Sequence, residues 1–263
     1  MARANRHYIA GYIWHITHRC HRRQFLLRFA KDRTRWLRWL FEAKRRYGLA
    51  VLNYAVTSNH IHLLVSDQKG ADVIPRSIQL VAGRTAQEYN SRKNRPGAFW
   101  QDRYHATAIE SGKHLRNCMV YIDLNMVRAG VVAHPAEWGL NGYNEIQRPR
   151  RKNKIIAYEH LQHLLGFDNY DQLKAAHKAW VAQALKEGSG SRQSQWSESI
   201  AVGSKEFVKE TKAKLRIRAA GRKIHETGEQ FELKEAALSY NANLEPKNAI
   251  IDVKNTYYWK VYQ

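Results

Sequence analysis

The chain has 263 residues, 44% of them hydrophobic, and a formal charge of +21 from 44 Lys and Arg against 23 Asp and Glu. That size and apolar content exclude a disordered tail and fit one generous domain or a domain with an appendage, while the charge points to a polyanionic partner, most commonly nucleic acid. Two distant cysteines, Cys20 and Cys118, exclude a disulfide scaffold or thiolate zinc site; with no apolar signal core after the first residues and no run approaching the ~18–20 apolar residues of a membrane span, no membrane partner and a cytoplasmic location are expected.

In chain order, residues 1–48 carry thirteen Lys/Arg against Asp32 and Glu42, a local net of +11, interleaved with Tyr8, Tyr12, Trp14, Trp36, Trp39 and Tyr47. Cations track phosphates and exposed rings stack on bases, although Trp14 and Trp39 read as core. Residues 11–18 are rich in strand formers, and 31–47 repeat Trp36, Leu37, Leu40 and Phe41 at helical spacing up to Gly48. Strands at 50–57 and 60–66 flank a Ser58-Asn59 turn and predict a hairpin. A helix follows at 72–92, with Pro75 tolerated in its first turn. A loop at 94–97 leads to a strand at 99–109. Ser111 then caps a helix that runs to about Arg128 and ends at Gly130.

The order β-α-β-β-α-β-α predicts an α+β fold: a ferredoxin-like split βαβ antiparallel sheet, covered by helices on one face, with an added final helix. Residues 1–147 form that unit. The run RPRRKNK at 148–154 reads as a linker, 158–187 as helix broken near Gly166, 188–194 as flexible, and 204–220 as a basic helix. Residues 148–263 are thus expected to be a basic, mainly helical C-terminal extension, with no assignment for the last 40 residues.

Two constellations carry chemistry. In NHIHLLV, strand alternation places His60 and His62 on one face, about 7 Å apart, with Ile61, Leu63 and Val65 on the other. Two such imidazoles share a divalent metal or are simply surface histidines. On the helix at 111–128, His114, Asn117, Tyr121, Asn125 and Arg128 form a polar stripe opposite Leu115, Met119, Ile122 and Met126. Tyr121 therefore faces away from the greasy side, and the Asn125 amide one turn on reaches toward the same point. A phenol attacking a phosphodiester leaves a phosphotyrosine. With a free pKa of about 10 it needs help, which a metal on His60, His62 and a third oxygen ligand would supply. Such a mixed site suits Mg²⁺ or Mn²⁺. Arg103 and Arg128 are nearby cations. With Arg3, Arg6, Arg19 and Arg22 they are the candidate DNA-binding residues. His15, His18 and His21 read as DNA-facing or solvated, and Cys118 as packing.

These residues resemble a known family. NHIHLLV, followed about 60 residues later by YIDLNMVRAG at 121–130, is similar to the Y1 transposases related to IS200. More narrowly, it resembles the REP-associated tyrosine transposases, whose helix motif reads YIxLNPVRAG; here Met126 replaces the proline. WHITHR at 14–19 resembles the family's YHVTxRG strand, GAFWQDRY at 97–104 its G-x-x-W-x-x-R-[FY] strand, and AVGSKEF at 201–207 a stretch of longer members. The resemblance implies the HUH nuclease fold, His60 and His62 as metal ligands with a third at Asn125, and Tyr121 as nucleophile. It also implies a substrate of single-stranded DNA hairpins from repetitive extragenic palindromes, with a flanking tetranucleotide read partly by the N-terminal segment. Members are monomeric or, among insertion-sequence relatives, homodimeric. A non-catalytic hairpin DNA or RNA binder on the same fold, or a relaxase or replication initiator of the same class, would share the basic sheet. The four intact residues His60, His62, Tyr121 and Asn125 favour the enzyme, and the motif order favours the transposase.

Overall fold

The computed structural model describes residues 9–67, 70, 72–188, 193–219, 221–228 and 230–234; Arg3 and Arg6 lie outside them. Strand β1 (Ile13–Arg19) is the centre of the expected sheet. It is followed by α1 (Ala30–Tyr47), β2 (Ala50–Val56), β3 (His60–Ser66), α2 (Val73–Lys93) and β4 (His105–Ile109). β1 pairs antiparallel with β3 on one side and β4 on the other, and β3 pairs antiparallel with β2. The resulting order β2-β3-β1-β4 is the split βαβ arrangement read from the sequence.

Local chemistry explains the boundaries. α1 buries Trp36, Leu37, Leu40 and Ala43 at helical spacing. Gly48 ends it at φ 72, in the left-handed region that favours glycine, with its N–H donating to the Lys44 carbonyl. In the β2–β3 turn, Thr57 Oγ1 accepts the His60 N–H at 3.1 Å and donates to the His60 carbonyl at 2.8 Å. That pins the register of the two histidines, and a one-residue slip would turn both to the opposite face.

Helices cover both faces rather than one. On the face of Ile16, His18, Ile61 and Leu63, α1 packs against α2, and Trp100 Nε1 donates to the Ala82 carbonyl of α2 at 3.0 Å. On the face of His15, Thr17, His62 and Leu64 lies α3 (Lys113–Asp123), tied to β2 where Asn53 Nδ2 donates to the Met119 carbonyl. α3 starts after Gly112 without a side-chain cap, so Ser111 does not play the expected part. The expected single helix is interrupted at Leu124 (φ −80, ψ 5), and a short α4 (Asn125–Arg128) completes it.

Beyond 130 come α5 (Gly142–Gln147), α6 (Tyr158–Leu164), α7 (Tyr170–Lys186), α8 (Gln195–Glu198) and α9 (Lys205–Leu215). This region is helical as expected, but it also supplies strands β5 (Ala201–Gly203), β6 (Lys223–Thr227) and β7 (Gln230–Lys234). β5 joins β4 in parallel, which extends the sheet to seven strands in the order β2-β3-β1-β4-β5-β7-β6 among the described residues. The basic run at 148–154 is anchored coil. The buried Glu145 carboxylate accepts from the backbone N–H groups of Ile155 and Ile156 and from the Tyr54 and Tyr158 hydroxyls, and Arg150 pairs with it at 3.1 Å. Among the described residues no helix is long and apolar enough to cross a membrane.

Candidate active site

β1 and β3 lie side by side with His15 opposite Leu64 and Thr17 opposite His62. This places the His15 and His62 rings diagonally on one face. The rings are nearly coplanar, 8° apart, and His15 Nε2 meets His62 Nδ1 at 2.9 Å. The other nitrogen of His15, Nδ1, lies 2.7 Å from the Trp196 carbonyl of α8. A carbonyl only accepts, so His15 Nδ1 carries the proton. His15 Nε2 must then accept, so His62 Nδ1 donates to it. The chain of bonds leaves the lone pair of His62 on Nε2. Burial pushes the His15 imidazole down to about 3 and His62 well below its ordinary value, and the neighbouring imidazoles of His60 and His15 and the cations Arg128 and Arg19 lower His62 further. Both rings are neutral at neutral pH, the form in which an imidazole ligates a metal.

His60 is fixed in the same sense. Its Nδ1 lies 2.7 Å from Asn59 Oδ1, whose amide nitrogen donates to the Arg23 carbonyl at 3.3 Å. The amide oxygen accepts, so His60 Nδ1 holds the proton and Nε2 keeps a lone pair. The two rings meet edge to face, with centroids 5.0 Å apart. Beside them, Asn125 Nδ2 sits 2.9 Å from His62 Nε2. Half a turn about the terminal bond of Asn125 would aim its oxygen at that point.

The Tyr121 ring stands over this cluster. Its centroid is 5.8 Å from that of His62, 6.2 Å from that of His15 and 6.1 Å from that of Trp196. The Arg128 guanidinium lies 4.1 Å from the ring centroid, and its Nη2 donates to the Tyr121 carbonyl at 2.7 Å. Tyr121 is only 6% exposed although it belongs to the polar stripe, because α8 lies over that stripe. Burial lowers the Arg128 pKa from its ordinary value, which marks a partly desolvated cation beside the ring.

The fold therefore brings together His60, His62, Tyr121, Asn125 and Arg128. Arg19, at the end of β1, is close enough for its charge to depress His62. Arg22 and Arg103 are exposed, in the turn after β1 and in the loop before β4. Two readings need correction. His15 is fully buried and part of the cluster, not solvated, because β1 is covered by α8 on that face. His18 is buried on the opposite face, stacked on Trp100 at 4.0 Å with Nε2 against the Asp102 carbonyl at 2.8 Å. The alternation of β1 already separated His15 from His18; only strand pairing shows that His15 meets His62. Cys118 is buried, as packing requires.

The donor set fits a divalent cation: two imidazole nitrogens whose lone pairs are set by their other nitrogens, and an adjacent amide. Among the described residues no cluster of three or more His, Cys, Asp or Glu side chains suits a metal, so the amide is what distinguishes this site from a bare His pair.

Residues 9–125 match the family model described as "Transposase IS200 like". That segment is similar to the IS200-like transposases. The match spans strands β1–β4 and stops at Asn125, so Arg128, Trp196 and the added strands lie outside it. The matched segment contains His15, His60, His62 and Tyr121. No curated protein matches the chain. Among solved structures, the chain is similar to a REP-associated tyrosine transposase bound to a REP hairpin, at 21% identity over 59% of this chain and 90% of that one, TM-score 0.48. It is also similar to a presumed transposase from Deinococcus radiodurans R1, at 18% identity over 44% of this chain and 91% of that one, TM-score 0.32.

Proposed function

We propose that this protein is a metal-dependent single-stranded DNA endonuclease and strand transferase that works through a phosphotyrosine intermediate at Tyr121. The observation that carries this reading is the Tyr121 ring centroid 5.8 Å from His62, a histidine whose lone pair is held on Nε2 by its neighbours. His60 Nε2, His62 Nε2 and the Asn125 amide oxygen would hold the cation, Mg²⁺ or Mn²⁺. When bound, such an ion polarises a scissile phosphate and offsets charge in the transition state.

The chain's own groups do the rest. The Tyr121 oxygen attacks phosphorus in line; the new O–P bond forms as the bond to the 3′ oxygen breaks, the phenolic proton passes to water, and the 3′ oxygen leaves as a hydroxyl after taking a proton. The phosphodiester energy is kept in the tyrosyl ester, so a 3′ hydroxyl returning to it reseals or transfers the strand. Arg128 holds the ring and places positive charge where the phosphate arrives. Asn59, Thr57 and His15 orient the two histidines, as outer partners of metal ligands do.

The substrate we propose is hairpin DNA with an unpaired flank, of the kind found at repetitive extragenic palindromes; the motifs at 59–65, 121–130, 14–19 and 97–104 support it. Arg19, Arg22 and Arg103, with Arg3 and Arg6 of the N-terminal segment, would meet its phosphates. The protein acts in the cytoplasm as a monomer or homodimer, with residues 1–147 as the nuclease unit. The test is a denaturing gel after incubation with end-labelled hairpins and Mn²⁺. A covalent protein–DNA band that disappears in Tyr121→Phe is expected; free cleaved DNA with no covalent band, at equal rate in wild type and Tyr121→Phe, would overturn the reading.

A further inference from the structure

A cleft of about 500 Å³ opens between α3 and the C-terminal region, with Tyr121 and Arg128 among its lining residues. Cavities of this size take a whole small ligand. One wall is the first turns of α3, which contribute Lys113 and Arg116. The other comes from Trp180 of α7 and Trp196 of α8. The cations Lys113, Arg116 and Arg128 face one carboxylate, Glu187. The Arg116 guanidinium lies 5.7 Å from the Trp180 ring centroid, and Trp196 closes on Tyr121. His114, also lining the cleft, is buried with Nδ1 lacking a hydrogen-bond partner. The tryptophan wall lies wholly beyond the segment that matches the family.

From this we infer that the cleft is a binding site for unpaired nucleotides of the DNA strand that is cut at Tyr121, with Trp180 as the stacking ring and Arg116 and Lys113 as phosphate partners. The inference rests on the reading of the chain as a single-strand nuclease and assigns its C-terminal region a part in that reaction. Flat rings alternating with cations are the recurring apparatus for single strands: each base offers a face to stack on, and each phosphate a charge to pair. A duplex has no free base faces and cannot enter a cavity of this volume. Tyr121, the proposed attacking residue, is part of the cleft lining, so a strand laid in it would pass beside that residue. Neither Arg116 nor Trp180 touches the histidine cluster, so both can be changed without disturbing the reacting groups.

The experiment uses the full chain and a pool of DNA hairpins that end either blunt or in a randomised four-nucleotide single-stranded flank carrying 2-aminopurine. We expect Trp180→Ala to weaken binding of flanked hairpins by about tenfold, the scale of one lost base stack, and to abolish the quenching of 2-aminopurine. Trp180→Phe should restore both. Arg116→Ala should lower the salt dependence of flanked binding by roughly one phosphate contact. Blunt-hairpin affinity should stay unchanged in all three. If wild type prefers flanked hairpins and cuts them while Trp180→Ala and Arg116→Ala behave as wild type, the strand does not use this cleft and the inference falls alone. Equal weakening on blunt and flanked hairpins would mark a structural defect and also overturn it. If wild type binds neither flanked hairpins nor single strands, the nuclease reading falls and the cleft assignment with it.

Discussion

His15 Nε2 and His62 Nδ1 meet at 2.9 Å in the buried centre of the sheet, and the Trp196 carbonyl on the far side of His15 decides which of the two carries the shared proton. A residue outside the family-matched segment thus sets the tautomer of a proposed metal ligand inside it. His15→Phe removes the acceptor and frees His62 to turn or to protonate Nε2. Mn²⁺ affinity, followed by electron paramagnetic resonance without any DNA, should fall about 10- to 100-fold. His15→Gln offers an oxygen to His62 and an N–H to Trp196 and should recover most of the loss. Equal affinity in wild type and His15→Phe would show that the relay orients nothing.

Chelation separates chemistry from recognition. Treatment with EDTA should stop cleavage of flanked hairpins while leaving their dissociation constant within about twofold, because the phosphate-binding cations supply most of the affinity. Adding back Mg²⁺ or Mn²⁺ should restore cutting. Cleavage that persists through exhaustive chelation contradicts a cation at His60, His62 and Asn125.

The acid of the YIDLN segment serves the fold. Asp123 Oδ2 lies 2.7 Å from His177 Nε2, both side chains fully buried, while Asp123 Oδ1 accepts from Asn53 Nδ2 at 3.0 Å. Gln147 Nε2 donates to His177 Nδ1 at 3.0 Å, so His177 gives its proton from Nε2 toward the carboxylate. This joins the helix of Tyr121 to α7, a wall of the cleft. His177→Ala strips a buried carboxylate of a partner and should cost about 3 kcal/mol, read as a lower urea midpoint with an unchanged slope. A shift within about 0.5 kcal/mol, the range of ordinary surface changes, would mean the pair does not hold α7.

Much of this was legible before the structure. The alternation in His60–Val65 and the stripe through Tyr121 and Asn125 needed only the periods of strand and helix. His15 was misread because its role depends on the register of β1 against β3, which no local pattern encodes. The strands β5 to β7 were missed for a related reason. β5 has three residues, and β6, Lys223–Thr227, is mostly exposed and polar; both are strands because a neighbour's edge was open to pair with. The covering of Tyr121 by Trp196 joins residues 75 positions apart through packing alone.

Gly142 gives a sharp test of how the chain after the family-matched segment seats on the sheet. It opens α5 where a methyl group would overlap Asn53 Oδ1, the same oxygen that accepts the Tyr54 N–H at 2.8 Å, and would crowd the Tyr54 nitrogen at 3.0 Å. In an exposed helix, Ala would gain up to about 1 kcal/mol over Gly. Here overpacking should win, and Gly142→Ala should destabilise by about 2 kcal/mol net, measured by chemical denaturation. A stabilised variant would show that α5 does not lie this close to β2.

The central claim is that Tyr121 is the residue that becomes joined to DNA, and peptide mapping of the covalent product tests it most directly. Wild-type protein is incubated with a flanked hairpin and Mn²⁺, digested with protease and nuclease, and its peptides are sequenced by mass spectrometry. The account predicts a 5′-phosphorylated nucleotide on Tyr121 and on no other residue. A nucleotide attached elsewhere, or cleaved DNA with Tyr121 unmodified throughout the time course, would contradict it.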